Sequence, residues 1–323
     1  RFLVISYNPV FRVIRAYLSY IYSSKQMPSR NNPISAVQKK RTVATTRKKG
    51  TVSSSKPSRA QKKAPMKHGY SMPGWLRNLL AVVIIGCFSV IFYYFFLRPY
   101  AYRWKPCNGM KEYGVCIPSG YDIHGIDISH YQGKIDWGRL LQNKQTATPL
   151  HFIFMKATEG GDHNDTTFEA NFVNARNHGF IRGAYHFYIP GTDALKQADF
   201  FIRTVKLDSG DLPPVLDVEV TGRKEKKELQ QGIKRWLDRI ESHYGVKPIL
   251  YTSYKFKTRY LEDSIFNAYP YWIAHYYVDS VKYQGKWHFW QHTDVGNVPG
   301  IKEDVDLNVF NGTLEELKKL TIK

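Results

Sequence analysis

The sequence predicts a TIM-like α/β barrel over residues 121–323, preceded by a single transmembrane helix and a disordered basic arm. Three observations lead there. Eight short apolar runs alternate with helical periods from Tyr121 onward. The run Leu79 to Leu97 holds 19 residues and no charge. The formal net charge of +20 is segregated: residues 1–111 carry 21 of the 47 Lys/Arg and no acid, and the rest carries 26 bases against all 27 acids. That second part, 212 near-neutral and aromatic-rich residues, is long enough for one substantial core.

The arm comes first, residues 1–78. Residues 1–24 are apolar but interrupted by Arg12 and Arg15, so no second span is expected, and Met27 is a candidate start. Residues 25–78 hold 14 Lys/Arg among Ser, Thr and scattered Pro, without hydrophobic periodicity, which predicts disorder. No aromatics interleave with the bases, so anionic lipid is the expected partner and nucleic acid is not.

The span, residues 79–97, reaches about 28 Å as a helix, against a hydrocarbon thickness of about 30 Å. Arg77 and Arg98 bracket it, and Tyr93, Tyr94 and Tyr100 gather toward one end as interfacial anchors. A cleaved signal peptide is disfavoured, because the arm is long and no Ala-x-Ala-like site follows. The basic arm predicts a cytoplasmic N-terminus and an extracytoplasmic C-terminal part. Arg98, Arg103, Lys105 and Lys111 weaken that contrast. In the juxtamembrane linker, residues 98–120, Cys107 and Cys116 could pair in an oxidising compartment; Cys87 lies in the span as an apolar filler.

In the barrel, strands are expected at 123–129, 152–158, 181–188, 214–220, 248–252, 271–275, 288–291 and 305–309. Asp136 caps a helix starting at Trp137. Phe168, Phe172 and Ala175 recur at helical spacing up to a stop at Gly179, and Leu195, Ala198, Ile202 and Val205 form a second stripe. Leu229, Ile233, Trp236, Leu237 and Ile240 make the clearest amphipathic face, ending near Gly245. Early strands alternate with helices and late ones do not, which predicts a closed, largely parallel barrel with an irregular last part.

The chemistry centres on Val-Leu-Asp-Val-Glu-Val at 215–220. Alternation in a strand puts Asp217 and Glu219 on one face, about 6.6 Å apart. Two acids on an apolar strand cost stability and suit acid–base work. A lone Asp-x-Glu also occurs as a solvated strand end, so its surroundings decide. Barrel enzymes collect their chemistry at strand C-termini, and acids expected there are Asp127, Glu159, Asp217, Glu219 and Asp306.

HGIDISHYQGKIDW (124–137), FMKATEGGD (154–162), GAYHFY (183–188), PPVLDVE (213–219), ILYTS (249–253), YWIAHY (271–276), FWQHTDVGNVPGI (289–301) and DVDLNVFNG (304–312) stand in the order of glycoside hydrolase family 25. Over about 121–312 the chain resembles those lysozymes, N-acetylmuramidases that cut peptidoglycan. The resemblance implies an irregular (β/α)5(β)3 barrel, peptidoglycan as partner, no cofactor, and catalytic carboxylates at Asp127, Asp217, Glu219 and Asp306.

Within that frame, Glu219 is expected as general acid with a raised pKa, and Asp217 as the group orienting a substrate acetamide in a substrate-assisted reaction. Inversion through a water activated by Asp127 or Asp306 remains the alternative. Tyr188, Tyr251 and Trp272 are the expected sugar-stacking residues, from a set that also holds Tyr185, Tyr276 and Trp290. Lys156 and Glu159 are expected in the charge network of the mouth. His124, His130, His186, His275 and His292 lack metal-ligand spacing, so no metal is expected. The Lys/Arg-rich segment 221–228 departs from the family pattern beside the groove. The competing readings are an inactive peptidoglycan-binding tether and a chitinase-like hydrolase.

Overall fold

The computed structural model describes residues 72–97, 107 and 109–323. The basic arm up to residue 71, and residues 98–106 and 108 of the expected linker, lie outside them. Helix α1 runs Gly74–Phe92 and continues as a wider π turn over Tyr93–Leu97. It begins five residues ahead of Leu79, so Arg77 lies within its first turn and not beside it. The whole apolar stretch is 24 residues with none of it buried, about 36 Å at 1.5 Å per residue. Val82, Ile85 and Phe88 are each about two-thirds exposed. An isolated helix apolar on every side is unstable in water and suited to lipid. It fits a membrane anchor or a signal sequence.

A ring of eight strands forms the body: β3 (Ile123–Ile128), β4 (Leu150–Glu159), β6 (Ile181–Phe187), β7 (Val215–Asp217), β8 (Ile249–Ser253), β9 (Tyr271–Ala274), β10 (Phe289–Gly296) and β11 (Val305–Phe310). Neighbours from β3 through β10 pair in parallel. β11 runs antiparallel to both β10 and β3, and the β3–β4 pairing closes the ring. Helices α2 (Trp137–Gln142), α3 (Phe168–Asn177), α4 (Ala194–Thr204), α5 (Lys226–Tyr244) and α6 (Tyr254–Tyr260) follow β3, β4, β6, β7 and β8; none follows β9 or β10. A short β5 (His163–Asn164) folds back on the end of β4, and α7 (Leu314–Leu320) follows β11.

Strand alternation divides the core in two. One layer, between sheet and helices, holds Ile126, Ile128, Leu216 and Val218 together with Leu229, Ile233, Trp236, Leu237 and Ile240 of α5. The other fills the barrel interior with Phe152, Phe154, Val215, Ile249, Tyr251, Trp272, Phe289 and Phe310. Interior space is made by Gly125 and Gly183: a Cβ on either would lie 2.5 Å from the ring of Phe152 or Phe154. Each buried Phe contributes about 1.5–3 kcal/mol.

Caps fall where local chemistry places them. The Asp136 side chain accepts from the Arg139 N–H, and Gly245 ends α5 at φ 70°. In α4 the stripe is rotated from expectation: Ala194, Ala198, Phe201 and Ile202 face the core, and Leu195 is 37% exposed.

Part of the expected linker packs beside β10 and the segment that leads into β4. β1 (Lys111–Glu112) and β2 (Val115–Cys116) form a hairpin, turned by Tyr113 and Gly114 at φ 51° and 76°. A Cys107–Cys116 disulfide, Cα atoms 5.6 Å apart, closes it. The Tyr113 hydroxyl donates to the Thr148 carbonyl (2.9 Å), and the Asn297 N–H donates to the Tyr113 carbonyl (2.8 Å). The hairpin is therefore packed as part of the body.

Candidate active site

The rim carrying the strand C-termini gathers the acids. Asp127 is the fifth residue of β3. Asp306 is the second residue of β11, a strand start, where a C-terminal end was expected. Because β11 is antiparallel, its start lies at the same rim, and Asp306 pairs directly with Asp127. Directly opposed residues share a face with Cβ atoms about 4.5–5.5 Å apart. Both are buried, at 6% and 3% exposure.

Asp217 ends β7, where an extended strand was expected through Val220. On one side its neighbour stops with it, β6 ending at Phe187, the partner of Asp217, whereas β8 runs two residues past Tyr251 to Ser253, which caps α6. Val218, just past the strand, is still held laterally, its N–H donating to the Tyr251 carbonyl (3.0 Å) and its carbonyl accepting from the Thr252 hydroxyl (2.7 Å). Val218 packs on the helix side, which leaves Asp217 and Glu219 on the other. Asp217 is buried; Glu219 stands beyond the strand end and is exposed.

Beneath the acids runs a network of neutral side chains. The Trp272 indole Nε1 donates to Asn308 Oδ1 (2.8 Å), so Asn308 must turn its Nδ2 to Asp127 Oδ2, at 2.8 Å. The hydroxyls of Tyr251 and Tyr276 both donate to Gln291 Oε1 (2.7 and 2.5 Å), so Gln291 turns its Nε2 to the same Asp127 oxygen, at 2.6 Å. The indole has only a donor to offer, so the amide orientations follow from chemistry. Burial, and then the field of Tyr276, Glu219, Asp217 and Asp127, pushes the Tyr251 pKa well above its ordinary value. Tyr251 is thus a permanent donor.

Other expected residues sort differently. Trp272 is 2% exposed and stacks on Phe154, centroids 4.4 Å apart, so it floors the site with its ring face occupied. Tyr188 is turned away altogether: it packs on the helix side, its hydroxyl against Gly232 of α5. It follows the last residue of β6, so its outward turn is what alternation gives once Tyr185 and Phe187 face inward. Glu159 is half-buried at the mouth and accepts from Lys156 Nζ (2.6 Å). Tyr185, Phe187 and Tyr276 are the half-exposed aromatics there. Trp290 is buried and donates to the His275 carbonyl (2.8 Å).

At the loop after β3, His130 donates through its backbone N–H to Asp165 Oδ2 (2.8 Å). Burial works to raise the Asp165 pKa, but bonds from His130 and Thr167 outweigh it and hold it below the ordinary value. His124, His186 and His292 are buried, and burial lowers them to about 4, 3 and 3. Among the described residues no group of His, Cys, Asp and Glu could hold a metal ion.

Gln291 and Asn308 went unnoticed in the sequence. The signal was there: both are polar residues at the inward parity of apolar strands, in step with Phe289 and with Phe310.

The sequence pattern of Glycosyl hydrolases family 25 matches residues 126–301, more than half of the chain. Uncharacterized protein YegX of Escherichia coli K12 is 44% identical over 218 residues, 67% of this chain and 79% of that protein. Lysozyme M1 of Streptomyces globisporus is 32% identical over 213 residues, 61% and 71% of the two chains. A solved family 25 glycosyl hydrolase from Bacillus anthracis superposes with a TM-score of 0.57 at 33% identity, covering 63% of this chain and 95% of its own. Sequence pattern and backbone agree over the barrel that carries the acids: the chain belongs to glycosyl hydrolase family 25 and is a glycoside hydrolase.

Proposed function

We propose that this protein is a membrane-tethered lysozyme-type glycosidase that hydrolyses the β-1,4 bond between N-acetylmuramic acid and N-acetylglucosamine in peptidoglycan. The observation that carries the reading is the meeting, at one rim, of acids drawn from positions 127, 217, 219 and 306. Self-repelling acids cost stability, and a pure binding module gains nothing from them.

Glu219 is the general acid: its exposure lets it reach a bound glycan and give its proton to the departing oxygen. Asp217, behind it, orients the 2-acetamido group so that the acetamide oxygen attacks C1 as the bond breaks. Glu219, now a carboxylate, takes a proton from the water that opens the cyclic intermediate, with net retention. Asp127, fixed by Gln291 and Asn308, and Asp306 beside it shape the field around the oxocarbenium-like centre.

The helix over Gly74–Leu97 serves as the tether, with the arm cytoplasmic and the barrel extracytoplasmic. Two observations support that orientation: the 14 Lys/Arg of residues 25–78, and the Cys107–Cys116 bond, which belongs to an oxidising compartment. The decisive experiment is digestion of defined muropeptides with the full chain and with Glu219→Gln, followed by mass spectrometry and NMR of the product anomer. The expected result is N-acetylmuramic reducing ends with retained configuration, lost in the variant. Cleavage of chitin oligosaccharides alone, clean inversion, or binding without cleavage would each defeat a stated part of the proposal.

A further inference from the structure

The barrel's charge is near zero overall, yet residues 221–235 hold six Lys/Arg against two Glu. This segment leaves the catalytic strand β7 and becomes the first half of α5, so it begins at the rim that carries the acids. Its turn is seated on that rim: the Lys224 N–H donates to the Thr221 carbonyl (3.0 Å), and a Cβ at Gly222, φ 58°, would lie 2.9 Å from Pro190 Cβ in the loop after β6. Next to the turn lies a cavity of about 750 Å³, lined by Lys226, Lys227, Lys234 and Arg235 of α5 and by Asp263 and Ile265 after α6.

The bases are not equivalent. Lys234 pairs with Asp238, and Arg235 lies 3.4 Å from Asp193. Lys226 and Lys227 are exposed and make no ion pair among the described residues, although Glu225 and Glu228 adjoin them in sequence. Two unneutralised ammonium groups facing an open cavity attract carboxylates. Lys226 follows Glu219 by seven residues, so their Cα atoms are at most about 24 Å apart, and the turn at 221–224 shortens this. A peptide of four or five residues extends about 13–18 Å. The two lengths are of the same order, so a peptide stem leaving a muramic acid bound near Glu219 is long enough to approach these lysines.

We propose that Lys226 and Lys227, with the cavity behind them, form a subsite for the carboxylates of peptide stems, so that the enzyme prefers peptide-bearing glycan strands to bare ones. The proposal rests on the muramidase reading of the same site. Lipid is the other anionic candidate. The position of both lysines at the start of α5, a few residues after Glu219, favours the substrate.

The test compares the full chain with a Lys226→Gln/Lys227→Gln variant in neutral phosphatidylcholine vesicles, on soluble peptide-bearing strands and on the same strands stripped of peptide by an amidase. The expected result is a lower KM for peptide-bearing strands in the parent protein at low salt, fading as salt rises. In the variant that KM rises about three- to tenfold, the range for two exposed charge pairs, while both kinetic constants on stripped strands stay unchanged. A parent protein that cleaves both substrates with equal KM overturns the subsite and leaves the muramidase reading standing. Cleavage of neither overturns both. A KM change equal for both substrates and present only in phosphatidylglycerol-containing vesicles overturns the subsite and assigns the basic face to lipid.

Discussion

Trp272→Phe separates a floor residue from a sugar platform. The substitution keeps a ring against Phe154 but deletes the Nε1–H that donates to Asn308 Oδ1 at 2.8 Å. Two costs follow. A buried carbonyl oxygen loses its donor, about 1–3 kcal/mol, and the smaller ring leaves a void worth about 1 kcal/mol. The sum is about 2–4 kcal/mol, which for a domain of this size lowers Tm by about 4–16 °C. The Asn308 amide, no longer held, can rotate its Nδ2 away from Asp127, so kcat should fall while KM changes little. Thermal unfolding followed by circular dichroism, with initial rates on soluble muropeptides, measures both. An unchanged Tm would refute the hydrogen-bond argument. A tenfold rise in KM at constant kcat would show that the indole meets sugar after all.

Three further outcomes are expected. Asp306→Asn removes a carboxylate directly opposite Asp127 and should lower kcat at least about a hundredfold; kinetics beside a urea titration that shows the variant folded tests this, and an unchanged kcat would contradict it. His124, His186 and His292 have native pKa values lowered by burial to about 4, 3 and 3, so below about pH 6.5 the unfolded chain takes up protons that the native chain refuses. Stability is then full above that pH and falls by up to about 1.4 kcal/mol per pH unit for each histidine down to the native values; denaturation midpoints at pH 7.5 and 5 that coincide would contradict this. Replacing Cys107 and Cys116 with Ser opens a loop of nine residues' separation, worth about 2.5 kcal/mol, and calorimetry should show the loss without a change in kcat.

Much of the barrel was legible because burial on both sides of a parallel strand leaves an apolar run, and α5 declares its face through Leu229, Ile233, Trp236, Leu237 and Ile240, all buried. Lateral partners were not legible. The end of β7 at Asp217 coincides with the end of β6, which no local pattern states, so Glu219 was placed on a strand it has already left. The same blindness placed Tyr188 in the site, when one residue past Phe187 means the opposite side of the sheet. Asp306 was credited to a strand end because strand direction is a property of pairing. The acids announced themselves as charges in apolar runs. Gln291 and Asn308, which hold Asp127, are neutral and drew no attention.

The reversed strand β11 sits between β10 and β3 and completes the ring. Along the chain it comes some 180 residues after β3, the segment it must join. Until that hexapeptide slots home, the cylinder gapes and Asp127 lacks both Asn308 and Asp306. The acid cluster is therefore completed late in folding: however early the other strands pair, Asp127 gains its full surroundings only with β11 in place.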